Sequence, residues 1–223
     1  MLENKFWYDA STADTYLRNF PQNKSREIVE QHLAKFLEVT VTPKRLLDVG
    51  CGDASESKIA NAKGFKYVGM DASKPMLLFA HESSEISVVN GNLSHFPFQN
   101  KVFDTAISLW AIQYGDVEQS IKEIARVLKD EGKLFMVVPN PIYKMIKYSG
   151  DYFSKGPHRE EGLGITRVNY YYSFSDYINV LIGNDFTLEQ IIETKRDNAQ
   201  KQYSGIPKEN IPHDLIIIAR KTK

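Results

Sequence analysis

The sequence predicts an α/β domain, a largely parallel sheet with helices on both of its faces. Three observations carry that prediction. Apolar runs at 44–49, 66–71, 86–90, 105–110 and 133–138 alternate with stretches whose apolar residues recur at helical spacing, the order of strand and crossover helix that builds a parallel sheet. The runs are nearly continuous in apolar residues, as strands covered on both sides are. Two later runs, Phe186–Glu193 and Asp214–Ala219, have no helix between them, which favours an antiparallel pair at one sheet edge.

Each element follows from its residues. Ile28, Val29, Leu33, Phe36 and Leu37 recur with helical period and predict an amphipathic helix over 24–38 that covers one face of the sheet. Strand one is 44–49, and Asp53 with Glu56 three residues later offers a capping box for the next helix. Strand two is 66–71, followed by a helix from Lys74 or Pro75 to about Glu82. Strand three is 86–90 and strand four Thr105–Trp110; Asp116 with Gln119 then opens a helix whose inner face carries Ile121, Ile124, Ala125 and Leu128. Gly132 marks the turn into strand five, Lys133–Val138. From Pro139 to Tyr177 the chain reads as one long connection holding seven of its twelve tyrosines, with Gly150, Gly156, Gly162 and Gly164 free to act as hinges. A loop of that length is uncommon unless it serves as a lid or binding element.

A chain of 223 residues, 42% hydrophobic, fits a single domain with a substantial core. Its 28 basic and 28 acidic side chains cancel, so there is no electrostatic case for a polyanionic partner, and no nucleic acid is expected. One cysteine excludes an internal disulfide and a cysteine-rich metal site, and His32, His81, His95 and His213 have no metal-ligand neighbour at useful spacing; no metal is expected. Residues Met1–Lys5 carry no apolar leader and no run reaches the ~20 residues of a membrane span. The expectation is a soluble, cytoplasmic protein without a membrane span.

The chemistry starts at Leu46-Leu47-Asp48-Val49-Gly50-Cys51-Gly52-Asp53. A strand that runs into Gly-x-Gly lets backbone approach a nucleotide without Cβ interference, and the following helix points free N–H groups at the same place. A dinucleotide fingerprint wants a third glycine where Ser55 stands. Asp48 and Asp53 flank the turn where a pyrophosphate would lie. Their charge repels phosphate and suits a ligand with a cationic head.

These residues resemble the first motif of the class I S-adenosylmethionine-dependent methyltransferases, with Ala54 where a third glycine is common. Tyr67-Val68-Gly69-Met70-Asp71 resembles the second, whose acid takes the ribose hydroxyls. Asp71 follows the glycines by about 20 residues, one strand-helix-strand unit. Gly91-Asn92-Leu93 resembles the family's Gly-Asp-hydrophobic segment on the adenine side, with Asn92 in place of the acid; Phe96-Pro97-Phe98, Phe103-Asp104 and Glu123 to Lys129 followed by Gly132 continue the likeness in order.

What the resemblance implies is a Rossmann-like seven-stranded sheet of order 3-2-1-4-5-7-6 with strand 7 antiparallel, and S-adenosylmethionine as cofactor. The implied cofactor residues are Asp48, Gly50, Cys51, Gly52, Asp71, Ala72, Met76, Asn92, Leu93, Leu109 and Gln113, with Tyr8 and Tyr16 from an N-terminal helical cap over 1–40. Ser108 to Tyr114 resembles the family's small-molecule branch, of the kind found in ubiquinone and menaquinone biosynthesis, and Gln113 stands at a frequent His position. Tyr171-Tyr172-Ser173-Phe174-Ser175-Asp176-Tyr177 resembles the segment before that branch's last helix, where many relatives have His at the place of Tyr171. Asn140-Pro141-Ile142-Tyr143 is similar to the Asn-Pro-Pro-Tyr of enzymes that methylate adenine or amide nitrogens, but it follows strand five rather than strand four and lacks the second proline.

The expected reaction is methyl transfer to a small, apolar or aromatic acceptor shaped by a substrate lid at 139–177. In-line displacement from a sulfonium leans on proximity and alignment, so a base is optional. If the acceptor must lose a proton, His158, Tyr114 and Tyr171 are the candidates. Two other readings stay open at this level. An NAD-dependent oxidoreductase is favoured by the glycine turn and Asp71, and a non-catalytic S-adenosylmethionine-binding protein by Asn92, Ala54 and the lack of an evident base.

Overall fold

The computed structural model describes residues 10–19, 24–39, 44–83, 86–149, 151–162, 165–195, 202–203, 206–207 and 210–222. Helices α1 (Ala10–Asn19) and α2 (Lys24–Val39) lead into β1 (Arg45–Val49), α3 (Ser57–Ala62), β2 (Lys66–Asp71), α4 (Lys74–Ser83) and β3 (Ser87–Asn90). Next come β4 (Phe103–Leu109), a 3-10 turn (Ile112–Tyr114), α5 (Val117–Val127) and β5 (Leu128–Pro139). The short α6 (Pro141–Lys144) passes into a π-helical turn (Met145–Ser149), then β6 (Gly156–Gly162), β7 (Ile165–Tyr171), α7 (Phe174–Gly183) and β8 (Phe186–Glu193). A two-residue pair, β9 (Gln202–Tyr203) and β10 (Ile206–Pro207), precedes β11 (Asp214–Lys221).

Seven strands form one sheet in the order β3-β2-β1-β4-β5-β11-β8. The first five run parallel, and β11 lies antiparallel between β5 and β8. That is the Rossmann-like α/β order the sequence implied, with β8 and β11 as the sixth and seventh strands. Both faces are covered. Leu47, Val49, Met136 and Val138 pack with α5 and α7, while Leu46, Ile107, Phe135 and Ile216 pack with α2 and α4. Burial on both sides explains why β1 reads Leu-Leu-Asp-Val without alternation. The chain leaves β1 towards β2 on one side and enters β4 on the other, which opens a crevice beyond the carboxyl ends of these strands.

Four details depart from the sequence reading. The Asp53–Glu56 capping box does not form: Glu56 precedes α3 without a side-chain cap and is taken by Arg26, while Asp53 Oδ1 accepts from the amide (3.3 Å) and hydroxyl (2.8 Å) of Ser55. β4 ends at Leu109 because Trp110 turns into left-handed backbone, φ 52°. β5 begins at Leu128 rather than Lys133. Phe103 pairs with Leu128 and Thr105 with Lys133, so residues 129–132 bulge out between them, Glu131 at φ 63°. The long connection after β5 is a structured segment, since β6 and β7 pair from Gly156↔Tyr171 to Gly162↔Ile165. Gly150 and Gly164 lie outside the described residues. Among the described residues no helix is long and apolar enough to cross a membrane.

Candidate active site

The glycine turn is shaped by what it touches. Gly50 sits at φ 75°, and a Cβ there would lie 2.2 Å from the Cβ of Ala111, so the turn and the loop after β4 are in contact through the absence of a side chain. The Gly50 and Cys51 amides donate to Met70 O at 2.7 and 3.0 Å, fastening the turn to β2. Gly52, at φ 54°, donates its amide to Asp71 Oδ2 at 2.9 Å, and the other Asp71 oxygen accepts from Ser73 N at 2.8 Å. One carboxylate thereby sets the spacing between the glycine turn and the end of β2. Met76 supports the turn from below, its methyl 3.4 Å from the Cβ position of Gly52. Cys51 is buried and fills the space beside Gly69, a packing role.

Negative charge collects here. Asp48 and Glu56 are buried, and Asp53 and Asp71 stand beside them. Asp48 Oδ2 accepts from Tyr67 OH at 2.6 Å, yet burial pushes its carboxyl well above the ordinary range, and Glu56 and Asp71 add to that. Burial also raises Asp71 and Glu56; the guanidinium of Arg26 opposes the rise of Glu56. Arg26, on α2, bonds Glu56 and Ser55 and holds Glu30 at 2.9 Å. Among the described side chains Asp48, Asp53, Glu56 and Glu30 share the one guanidinium of Arg26, an arrangement short of positive charge. Tyr16, on α1, is raised first by burial and then by Tyr114, while Arg26 lowers it and Asp53 raises it, which places it over the same cluster. Tyr8 lies outside the described residues.

The loops beyond β2, β3 and β4 complete the crevice. Asn90 Nδ2 donates to the carbonyls of Asp71 (3.0 Å) and Ala72 (3.1 Å), fixing the chain after β2. Asn92 is exposed and its Oδ1 already accepts from Ser94 N, Ser94 Oγ and His95 N at 2.8–3.0 Å. Leu93 packs against Gly115 and so joins the β3 loop to the β4 loop. Below them Glu123 takes Arg126 by both oxygens and Phe96 N at 2.7 Å, and Arg126 returns to the carbonyls of Phe96 and Phe98. Leu109 is half-buried at the end of β4. Gln113 is buried, and its Nε2 donates to Trp110 O at 2.5 Å.

The segment after β5 lies against that loop. Tyr172 OH accepts from Val117 N at 3.2 Å, and the 3-10 turn rests on β7. His158 and Tyr171 are stacked, ring centroids 4.0 Å apart and 12° from parallel; the Lys144 ammonium is 5.2 Å from the Tyr171 ring, and His158 Nε2 meets Ser154 Oγ at 3.1 Å. Two of the three proton-transfer candidates are therefore brought together, and the third, Tyr114, interacts with Tyr16. Asn140, in the Asn-Pro-Ile-Tyr motif, caps α6 through Ile142 N (2.9 Å) and donates to Glu193 at 2.7 Å. Its amide is spent on structure.

The residues fit the adenosyl sulfonium that the sequence implied. A crowded acidic cluster with one guanidinium accommodates a cation, the glycine turn leaves room for backbone approach, and Asp71 keeps lone-pair capacity beyond its backbone contacts with Gly52, Ala72 and Ser73. Arg26, Trp110, Asp214 and Asn169 escaped the sequence reading. The first three act through partners far along the chain, and none of the four belongs to a local pattern.

The comparisons with known proteins agree with this geometry. Residues 47–136 match the family described as Methyltransferase domain. Uncharacterized protein MJ1252 of Methanocaldococcus jannaschii is 34% identical over 137 residues, 61% of this chain and 51% of that protein. The 18S rRNA (guanine-N(7))-methyltransferase bud23 of Schizosaccharomyces pombe is 40% identical over 78 residues, 32% of this chain and 28% of its own length. These matches span about half or less of the curated relatives' length. An S-adenosylmethionine-dependent methyltransferase from Mesorhizobium loti has the same fold, TM-score 0.72 at 22% identity, over 86% of this chain and 98% of that one.

Proposed function

We propose that the chain, whose residues 47–136 match the family described as Methyltransferase domain, is an S-adenosylmethionine-dependent methyltransferase that methylates a small, apolar or aromatic acceptor presented between the 3-10 turn and the β6–β7 hairpin. The observation that carries this reading is the junction of a cation-seeking acidic turn with a tyrosine-lined hairpin. When bound, S-adenosylmethionine supplies a methyl group on a sulfonium, already a good leaving group. The chain's own work is then to hold, align and dry the site.

In this reading Asp71 holds the ribose hydroxyls through its remaining lone pairs, while Gly50, Cys51 and Gly52 give the methionine portion close backbone contact. Asp48, buried and bonded to Tyr67, acts through its field. Ala72, Met76, Leu93 and Leu109 pack around the adenosine, with Asn92 at the adenine edge and Tyr16 closing from α1. The segment at 139–177 acts as a lid, with the stacked His158–Tyr171 pair as a fixed aromatic wall that excludes water; Tyr114 is the group placed to take a proton from the acceptor. A cytoplasmic location fits such a role.

The test is calorimetry with S-adenosylmethionine and its demethylated product. Micromolar binding of both is expected, and no heat at millimolar cofactor rejects the reading. A second reading, methylation of an RNA base, is favoured by the likeness to the 18S rRNA (guanine-N(7))-methyltransferase. Incubation with tritiated cofactor and a cell extract separates the two. Label in the small-molecule fraction supports the first, and label in RNA supports the second.

A further inference from the structure

Among the described residues, two buried side-chain oxygens beside this site have no hydrogen-bond partner, Gln113 Oε1 and Asn169 Oδ1. Gln113 is 3% exposed and Asn169 2%. Folded proteins leave few such atoms, and those they leave call for a reason. The third among the described residues, Thr105 Oγ1, belongs to the early part of β4, away from the carboxyl end. The other two sit on elements that touch, the 3-10 turn and β7.

The direction of the first is fixed, and the second shares a hairpin face with His158. The Gln113 amide cannot turn round, because Nε2 donates to the Trp110 carbonyl and a carbonyl can only accept. Trp110 is itself anchored, its indole donating to Asp214 Oδ1 at 2.8 Å. Asn169 faces His158 across the hairpin, and that imidazole is already occupied by the Tyr171 ring and by Ser154.

We propose that Gln113 Oε1 and Asn169 Oδ1 recognise the methyl acceptor, receiving N–H groups of an uncharged nitrogen compound: an aromatic amine, an amide or a heterocycle with ring N–H. This rests on the methyltransferase reading above and narrows its acceptor class. Both oxygens are neutral and can only accept, so they select donors. A carboxylate or phenolate would be repelled, and an ammonium would meet no compensating charge from either amide. Gln113 thereby moves from the cofactor side, where the sequence placed it, to the acceptor side.

The experiment uses protein saturated with S-adenosylhomocysteine, titrated with 2-aminobenzoxazole and with 2-methylbenzoxazole, which replaces the amino group by a methyl of similar size. The amino probe is expected to bind about tenfold tighter or better, since a site built to bond N–H rejects the analogue lacking it. Asn169→Leu should remove that preference, leave S-adenosylhomocysteine affinity unchanged and keep or raise Tm, because it deletes an orphaned acceptor. Gln113→Met should reduce the amino probe's binding far more than that of S-adenosylhomocysteine. Equal binding of the probes, binding of neither, a lowered Tm for Asn169→Leu, or equal losses for Gln113→Met overturn the inference while the methyltransferase reading stands. Failure of S-adenosylhomocysteine to bind overturns both.

Discussion

The indole nitrogen of Trp110 donates to Asp214 Oδ1 at 2.8 Å, joining the loop after β4 to the first residue of β11. The second Asp214 oxygen accepts from His213 Nδ1 (2.9 Å), Ser25 Oγ (3.0 Å) and Thr194 Oγ1 (3.2 Å), so one buried carboxylate gathers α2, β4, β8 and β11. Burial pushes its pKa up, and the bonds from His213, Trp110 and Ser25 outweigh that and hold it below the ordinary carboxylate range. Asp214→Ala should destabilise the fold by about 3 kcal/mol, because it leaves several buried donors unpaired. Urea unfolding measures it, and a change under about 0.5 kcal/mol would contradict the hub.

The same carboxylate gives a pH dependence. Its folded pKa is depressed, so the native state binds fewer protons than the unfolded chain, and the stability Asp214 contributes is present above the unfolded value and lost as pH falls through the folded one. Unfolding curves taken below about pH 4 should fall more steeply for the wild type than for Asp214→Asn. Parallel curves would count against it.

Asp48 and Asp71 carry the opposite sign. Burial raises both, so in the free protein they hold protons above the ordinary carboxylate range. A cationic cofactor favours their ionised forms, so its binding should release protons and weaken as pH falls through their raised values. Calorimetry in buffers of different ionisation enthalpy reads the proton count directly. S-adenosylhomocysteine, without the sulfonium charge, should release fewer. Equal release by both ligands would remove the acidic turn from cation recognition.

Asp71→Ala should weaken cofactor binding by about 2–3 kcal/mol, the loss of charged hydrogen bonds to two hydroxyls. The Gly52 amide also loses its acceptor in that variant. Asp71→Asn, which keeps a side-chain oxygen for Gly52, separates the two effects: a large loss of cofactor affinity with little change in Tm assigns Asp71 to the ribose, and unchanged affinity rejects the assignment.

Arg26→Met should cost about 3–5 kcal/mol, since it strands the buried Glu56 beside Asp48 and Asp53. Adding Glu56→Gln should recover most of that loss. A double variant as unstable as the single one would show that Arg26 matters for packing rather than charge.

The centre of the sheet was legible in the sequence because strands buried on both faces must be apolar throughout; β2 falls where its apolar run places it, and β8, largely exposed at the sheet edge, also spans the residues read for it. Local chemistry was legible only where nothing distant competed. Asp116 caps α5 as its position suggests, accepting from Glu118 N and Gln119 N, whereas Glu56 leaves its helix for a guanidinium 30 residues earlier. The hairpin was not legible because its strands lack the alternation of a half-buried strand: in Ile165–Tyr171 the apolar Ile165 and Val168 stand three residues apart. Gln113 was visible as a residue, but its orphaned oxygen depends on Trp110 and, through it, on Asp214. No window of sequence spans that chain of contacts.

The position of β11 bears on when the protein becomes competent during synthesis. β11 fills the gap between β5 and β8, and its first residue holds Trp110. Strands β1 to β5 can pair as they emerge from the ribosome, but the Trp110 side chain lacks its anchor until Asp214 arrives. Non-local pairing of this kind is slow and comes late. A nascent chain should therefore pair β1 to β5 before the loop after β4 is fully ordered, so that the crevice at the carboxyl ends of the strands is completed only when β11 docks.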